Sequence, residues 1–393
     1  MFALLRQKSS QQLNPLQTYV LIGIIISAVY FLGFVVFLYE DWFLGSNSNI
    51  TGRDFPAFWT AARLIVESSA SVIYDPTIFI AELQKTFGDS MVMLWPYPPT
   101  ESLFLWPLGF MTYKTAYIIF AVISVITLVF ACKTSRHNFF LYISACIFTP
   151  LVTFSLYMGQ NGLLTSALLI AGIRLSPTRP FLAGLLFGMM IIKPQLAAMV
   201  PIYLIATHNW KAIAATSLSA GTLIITTLLV FNTHIWTVYF SALLFYSHYG
   251  VGEIFHIGMP TVYMLVLLLT KNVAAAWALQ IGLSIAIAFA SFHAFKKSRD
   301  QLMHFVIFAA GIALLTPYIY IYDLPILAVA LICLISRETS PVSLYKILLY
   351  SSIWLLPILQ LSTKCGAIIL IWFYIHVYFT AIRQKFTVPN RLI

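Results

Sequence analysis

Arg53-Asp54-Phe55-Pro56-Ala57-Phe58-Trp59 sets a carboxylate beside an arginine at the head of an aromatic-rich segment, just past the first apolar stretch of the chain. An aspartate placed there, at the outer edge of a bilayer, has two uses. It can cap the helix that begins at Phe55, with Pro56 tolerated in the first turn. It can also serve as a general base, taking the proton of a hydroxyl bound at the mouth of a cavity. Arg53 and Arg63 are the nearest cations, each either a phosphate ligand or a plain interfacial charge.

Three further stretches carry polar groups where the surrounding sequence is apolar. Gly159-Gln160-Asn161-Gly162 separates two apolar segments; its glycines suit a turn, and its paired amides suit hydrogen bonds to sugar hydroxyls. Lys193-Pro194-Gln195 interrupts a long apolar run. A lysine at that depth is costly and usually functional. It reads either as a partner for an anionic phosphate or as a cation snorkelling from a helix end. Pro317-Tyr318-Ile319-Tyr320-Ile321-Tyr322-Asp323 lies at an outer helix junction. An interfacial aromatic belt accounts for any one of its tyrosines, but not for Asp323.

Other chemistries lack their signatures. His234, His248, Glu253 and His256 do not have the tight spacing of a metal site. No Walker loop, dinucleotide fingerprint, nucleophile elbow or HExxH motif occurs, so nothing points to a soluble nucleotide donor. Cys132, Cys146, Cys333 and Cys365 show no paired spacing and suggest neither a disulfide framework nor zinc.

The elements that must position these residues are set by composition. Charged residues are 9% of the 393, hydrophobic ones 61%, and the mean hydropathy is +0.91. Soluble domains carry about a quarter charged residues, so the chain is an integral membrane protein built of helices, which satisfy their own backbone in lipid. About twelve membrane-entering stretches follow from the apolar runs, near 17–38, 114–132, 139–157, 162–175, 180–192, 195–207, 212–231, 261–293, 303–317, 324–336, 345–360 and 366–383. The first reads as a retained helix with a cytoplasmic N-terminus rather than a cleaved signal.

With that start, most of the 22 basic residues fall on the cytoplasmic side, as the positive-inside rule expects. The net charge of +10 is therefore topological and does not imply a nucleic-acid partner. Of the 12 acidic residues only Asp300 and Glu338 fall inside, so the polar chemistry gathers on the outer face. Two outer segments are long, about 39–113 and 232–260. In the first, Phe55, Phe58, Trp59, Ala62 and Val66 predict a helix lying in the interface plane, and Pro76 to Phe87 predicts a second short helix. Residues 101–111 are too short to span and read as a re-entrant or interfacial piece. Short, broken segments at 180–192, 195–207 and 324–336 imply a cavity, since irregular backbone at membrane depth must be covered by protein or water. Residues 1–393 read as a single transmembrane catalytic domain.

Four stretches then fall in a recognisable order: Asp54-Phe55 with Phe58-Trp59, Ala61-Ala62-Arg63 and Tyr74-Asp75; Tyr97-Pro98-Pro99 followed by Pro107-Leu108; Gly159-Gln160-Asn161; and Ala183-Gly184 with Gly188 and Lys193-Pro194-Gln195. Together they resemble the polyprenol-phosphate-dependent glycosyltransferases of the C superfamily, specifically glycosyltransferase family 87, which includes mycobacterial mannosyltransferases. The likeness covers roughly residues 50–211 well and the C-terminal half loosely.

The resemblance implies an all-α polytopic fold of the glycosyltransferase C type in the cell (cytoplasmic) membrane, with its site on the outer face. It implies an inverting transfer of a sugar, mannose first and a pentose second, from a polyprenyl-phosphate carrier to a lipid or glycan acceptor. Asp54 takes the role of base, and Lys193, Arg63 and Arg53 are candidates for the donor phosphate. Gln160, Asn161, Tyr97, Tyr320, Tyr322, Asp323 and His256 are candidates for the sugar or acceptor. Tyr320 stands where family members often place a histidine. No cofactor or metal is expected, because the lipid-phosphate donor brings its own singly charged leaving group. The reading from a different class is a transporter or lipid flippase with an acid-lined outer cavity.

Overall fold

The computed structural model describes residues 53–132, 147–249, 258–338 and 343–383, together with several helical residues between 23 and 36. Every regular element in these segments is helical. Most of the first apolar stretch and the opening of 139–157 lie outside the described residues.

Among the described residues there are two large apolar cores and a small third one around Met259, Tyr263 and Leu267. The largest is centred on α13 (Gln301–Leu315) and α14 (Pro325–Ile335), with α5 (Pro150–Met158), α6 (Gly162–Leu175), α8 (Met199–Ala206) and α17 (Gly366–Arg383) around them. α13 and α14 are buried on all sides except at their ends, which explains why their sequences are apolar all round. The second large core joins α1 (Phe55–Glu67), a 3₁₀ turn over Ala70–Tyr74, α2 (Pro76–Phe87), α3 (Pro99–Leu105), the start of α4 (Tyr113–Ala131) and α10 (His234–Tyr249). α7 (Pro180–Gly188) packs on α9 (Trp210–Phe231) through Gly184 and Gly188, where an added Cβ would strike Ala212, Ala215, Thr216 and Ser219. That is the close backbone approach small residues permit between membrane helices.

Four described helices are long and apolar enough to cross a membrane: α4, α9, α12 (Val273–Lys297) and α17. A fifth is possible if α15 (Leu344–Trp354) and α16 (Leu356–Thr363), bent by 76° at their junction, count as one span. α9 and α12 present Leu229, Val230, Leu279 and Phe289 outward, as lipid-facing helices do. The other expected stretches within the described residues form shorter pieces.

Two expectations change. The stretch 261–293 is not one span: α11 (Val262–Thr270) ends with Lys271 in the left-handed region at φ 55, and Asn272 accepts from Ala275 N to cap α12. α1, expected to lie in the interface plane, is enclosed by protein from Phe55 to Ala62, with Arg63 and Glu67 toward its open side. Gly109 makes that enclosure tight, since a Cβ there would meet the Ala62 carbonyl.

Candidate active site

The two large cores meet at Asp54. The residue occupies the N-cap position of α1 at φ −101, ψ −13, yet its side chain makes no capping hydrogen bond. Its backbone N–H donates to Met158 O at 2.8 Å, tying the head of α1 to the end of α5. With capping declined, the carboxylate is left to other partners, and Gln160 Nε2 donates to Asp54 Oδ2 at 2.8 Å. Tyr97 OH donates to Gln160 Oε1 at 2.7 Å, which fixes the amide with its nitrogen toward the carboxylate. Tyr97 is anchored in turn, because its carbonyl accepts from Tyr74 OH at 2.9 Å. Asp54 is half-buried. Burial pushes its carboxyl from the ordinary 3.8 up to about 6, against the Gln160 hydrogen bond and the Lys193 charge, which both favour the anion.

A second polar ladder starts one residue further on. Gly159 takes the left-handed conformation, φ 67, ending α5 and turning the chain into α6. Gln160 and Asn161 therefore project from a corner, and Asn161 is fully buried. Lys193 Nζ donates to Asn161 Oδ1 at 3.0 Å, and Asn161 Nδ2 donates to Glu101 Oε1 at 3.1 Å. Lys193 reaches the corner because the chain breaks between two 3₁₀ turns, Met189–Ile192 and Pro194–Ala197, at a residue with φ −145. Its ammonium is buried against Asp323 Oδ1 at 2.6 Å and lies 5.3 Å from the ring centres of both Tyr97 and Tyr322.

Asp323 is held from its own side. Its second oxygen accepts from Tyr320 N at 3.2 Å. The turn Ile321–Asp323 lies so close to Gly162 that a Cβ on that glycine would collide with the Tyr322 carbonyl oxygen. The rings of Tyr320 and Tyr322 stack at 4.9 Å between centres, 7° from parallel. Glu101, in the first turn of α3, is buried, and burial pushes its carboxyl up to about 7 despite the Asn161 hydrogen bond and the Lys193 charge.

The structure thus brings together Asp54, Tyr97, Gln160, Asn161, Lys193, Tyr320, Tyr322 and Asp323 from five separate parts of the chain. Arg53 is exposed beside them, its guanidinium 5.4 Å from the ring centre of Tyr157. Arg63 is not among them. It is nine residues further along α1, about 13 Å at the helical rise and on the opposite side. There it binds both carboxylate oxygens of Glu67 and covers the Trp59 ring at 4.9 Å. The expectation that it meets the donor phosphate is corrected by that geometry. His256 lies outside the described residues. Sequence reasoning passed over Glu101, whose only signal was an acid shortly after Tyr97-Pro98-Pro99 in an otherwise apolar piece.

Chemically, the arrangement offers two carboxyls raised toward neutral pH, the half-buried Asp54 and the fully enclosed Glu101, with an internally neutralised lysine, aromatic faces and oriented amides. No curated protein and no solved structure matches the chain. Residues 95–317 match the family model of glycosyltransferase family 87. The matched span holds Tyr97, Glu101, Gln160, Asn161 and Lys193, while Asp54 and Asp323 flank it. With more than half of its length matched, the chain belongs to glycosyltransferase family 87, which sets aside the transporter reading.

Proposed function

We propose that this glycosyltransferase moves a sugar from a polyprenyl-phosphate carrier to a lipid or glycan acceptor on the outer side of the cell membrane, with inversion at the anomeric carbon. The observation that carries the reading is the uncapped Asp54 carboxylate, held by Gln160 with its pKa raised to about 6. In the step, Asp54 takes the proton of the acceptor hydroxyl. The hydroxyl oxygen bonds to the anomeric carbon while the bond from that carbon to the phosphate oxygen breaks. The electron pair leaves with the polyprenyl phosphate. One carboxylate suffices for a single displacement of this kind, and the singly charged leaving group calls for no divalent metal.

Arg53 is the cation on open surface beside Asp54 and is assigned to the donor phosphate. Lys193 already donates to Asp323 and Asn161 and has its counter-ion in Asp323, so its part is to hold the Asn161 corner beside the phosphate site rather than to contact the phosphate. Gln160, Asn161 and the Tyr97, Tyr320 and Tyr322 rings are assigned to sugar or acceptor, with mannose the first donor sugar to test and a pentose the second. The topology that goes with this reading has about twelve membrane-entering segments, the shorter ones shielded by their neighbours.

Purified protein supplied with radiolabelled polyprenyl-phosphate sugars and a panel of acceptors tests the proposal. Transfer with inverted anomeric configuration is the expected result. Failure with every lipid-phosphate donor, alongside transfer from a soluble nucleotide sugar, would overturn the donor assignment.

A further inference from the structure

Glu101 is a buried carboxylate for which the mechanism above has no use. One of its oxygens accepts from Asn161. The other, Oε2, is buried and finds no hydrogen-bond partner among the described residues. An ionised carboxylate with a bare buried oxygen is expensive, whereas the protonated acid leaves only a neutral hydroxyl to satisfy. The titratable and charged groups that bear on it are Lys193 beyond Asn161, and Tyr97 and Tyr74.

Asn161 stands between opposite demands. Lys193 can only donate, so it requires the amide oxygen, and the carboxyl oxygen of Glu101 then receives the amide nitrogen. With both partners present the amide has one orientation. Without an acceptor at position 101 the amide is free to rotate away, and Lys193 loses its second anchor beside Asp323. The neighbouring residue in the same corner is Gln160, which holds Asp54.

We infer that Glu101 is a positioning residue for glycosyl transfer: as a buried hydrogen-bond acceptor it locks the Asn161 amide, and through it Lys193 and the corner that orients Asp54. This rests on the proposed function for its kinetic part only. Glu101→Gln keeps an acceptor of the same shape, so it retains the rate within about threefold. Glu101→Leu removes the acceptor and lowers kcat by about 10- to 100-fold, the scale of a small misplacement at a reacting centre, with the donor KM little changed.

A double-mutant cycle of Glu101→Leu and Lys193→Met, read as thermal midpoints in detergent, provides the test that needs no turnover. Groups joined through one amide couple, so the double variant should fall short of the summed shifts by about 2 °C or more. Additive shifts, an undiminished rate in the Leu variant, or a Gln variant as slow as Leu would each overturn the inference. If the Leu variant does not fold, Glu101→Met, which also lacks an acceptor, takes its place in both measurements. Absence of all glycosyl transfer by the wild type would count against the proposed function, and the cycle, run with Glu101→Met should Leu not fold, would still decide the role of Glu101.

Discussion

Replacing Asp54 by Asn separates catalysis from architecture at a single atom. The change keeps shape and leaves an oxygen to accept from Gln160 Nε2, which now sits 2.8 Å from Oδ2. No cap bond is lost, because the Asp54 side chain makes none. What disappears is the ability to take a proton. A carboxyl with a pKa of about 6 is roughly nine-tenths ionised at pH 7, so the wild type is almost fully in its basic form there. Loss of a general base lowers kcat by about 10²- to 10⁴-fold.

Stability should move the other way. Asp54 has a folded-state pKa above its ordinary value, so the folded chain binds the proton more tightly than the unfolded chain. Stability from this group is complete below about 3.8 and is lost as pH rises through about 6. The loss reaches about 3 kcal/mol at the upper bound for a shift of that size. Asn does not ionise and escapes it. The Asn variant should therefore be inactive in the transfer assay yet melt no lower than wild type at pH 7.5. Turnover within a fewfold of wild type, in protein that binds donor normally, would refute Asp54 as the base.

Other outcomes follow from the same geometry. Wild-type kcat/KM should fall about tenfold per pH unit below 6, because protonating Asp54 removes the base; a rate–pH profile flat to pH 5 would contradict this. Lys193→Met leaves Asp323 buried without its cation and should cost about 3–5 kcal/mol by thermal unfolding, most of which Lys193→Met combined with Asp323→Leu recovers. Tyr97→Phe removes the donor to Gln160 Oε1 and should cost about 1 kcal/mol, with a fall in rate larger than that of a Tyr74→Phe variant. EDTA should leave the transfer rate unchanged. In a variant freed of native cysteines, an impermeant thiol reagent should label Asp89→Cys but not Ser298→Cys in intact cells.

What the sequence discloses about this site depends on cost. Lys193 and Asp54 stand out because charge is rare and expensive in an apolar chain, and the Gly159-Gln160-Asn161-Gly162 corner stands out because two amides follow a turn glycine. Glu101 does not, since an acid in the first turn of a helix after prolines reads as solvated; it is buried where α3 packs among α1, α9 and α10 and meets Asn161. Arg63 misleads for the converse reason. Its pairing with Glu67 at i,i+4 is local, and local pairing says nothing of distance to a site. The helices show the same limit. α13 and α14 are as apolar as spans, but hydropathy cannot tell lipid from protein as the neighbour, and the break at Lys271-Asn272 is too short to interrupt a window average.

The charges at the meeting of the two large cores also explain why a lysine so near Asp54 does not spoil it as a base. A free ammonium beside a carboxylate favours the anion and lowers its basicity. Here Lys193 favours the Asp54 anion while Asp323 opposes it, because the lysine carries its own counter-ion at 2.6 Å. Burial then dominates and holds Asp54 near neutrality. The pair is expensive to bury, but it costs the reaction nothing at the moment of transfer, because it is already formed. Arg53 adds a smaller pull toward the anion from its exposed place against the Tyr157 ring. A phosphate arriving there would add negative charge near Asp54 and raise its proton affinity further, so binding the donor would itself sharpen the base that the acceptor meets.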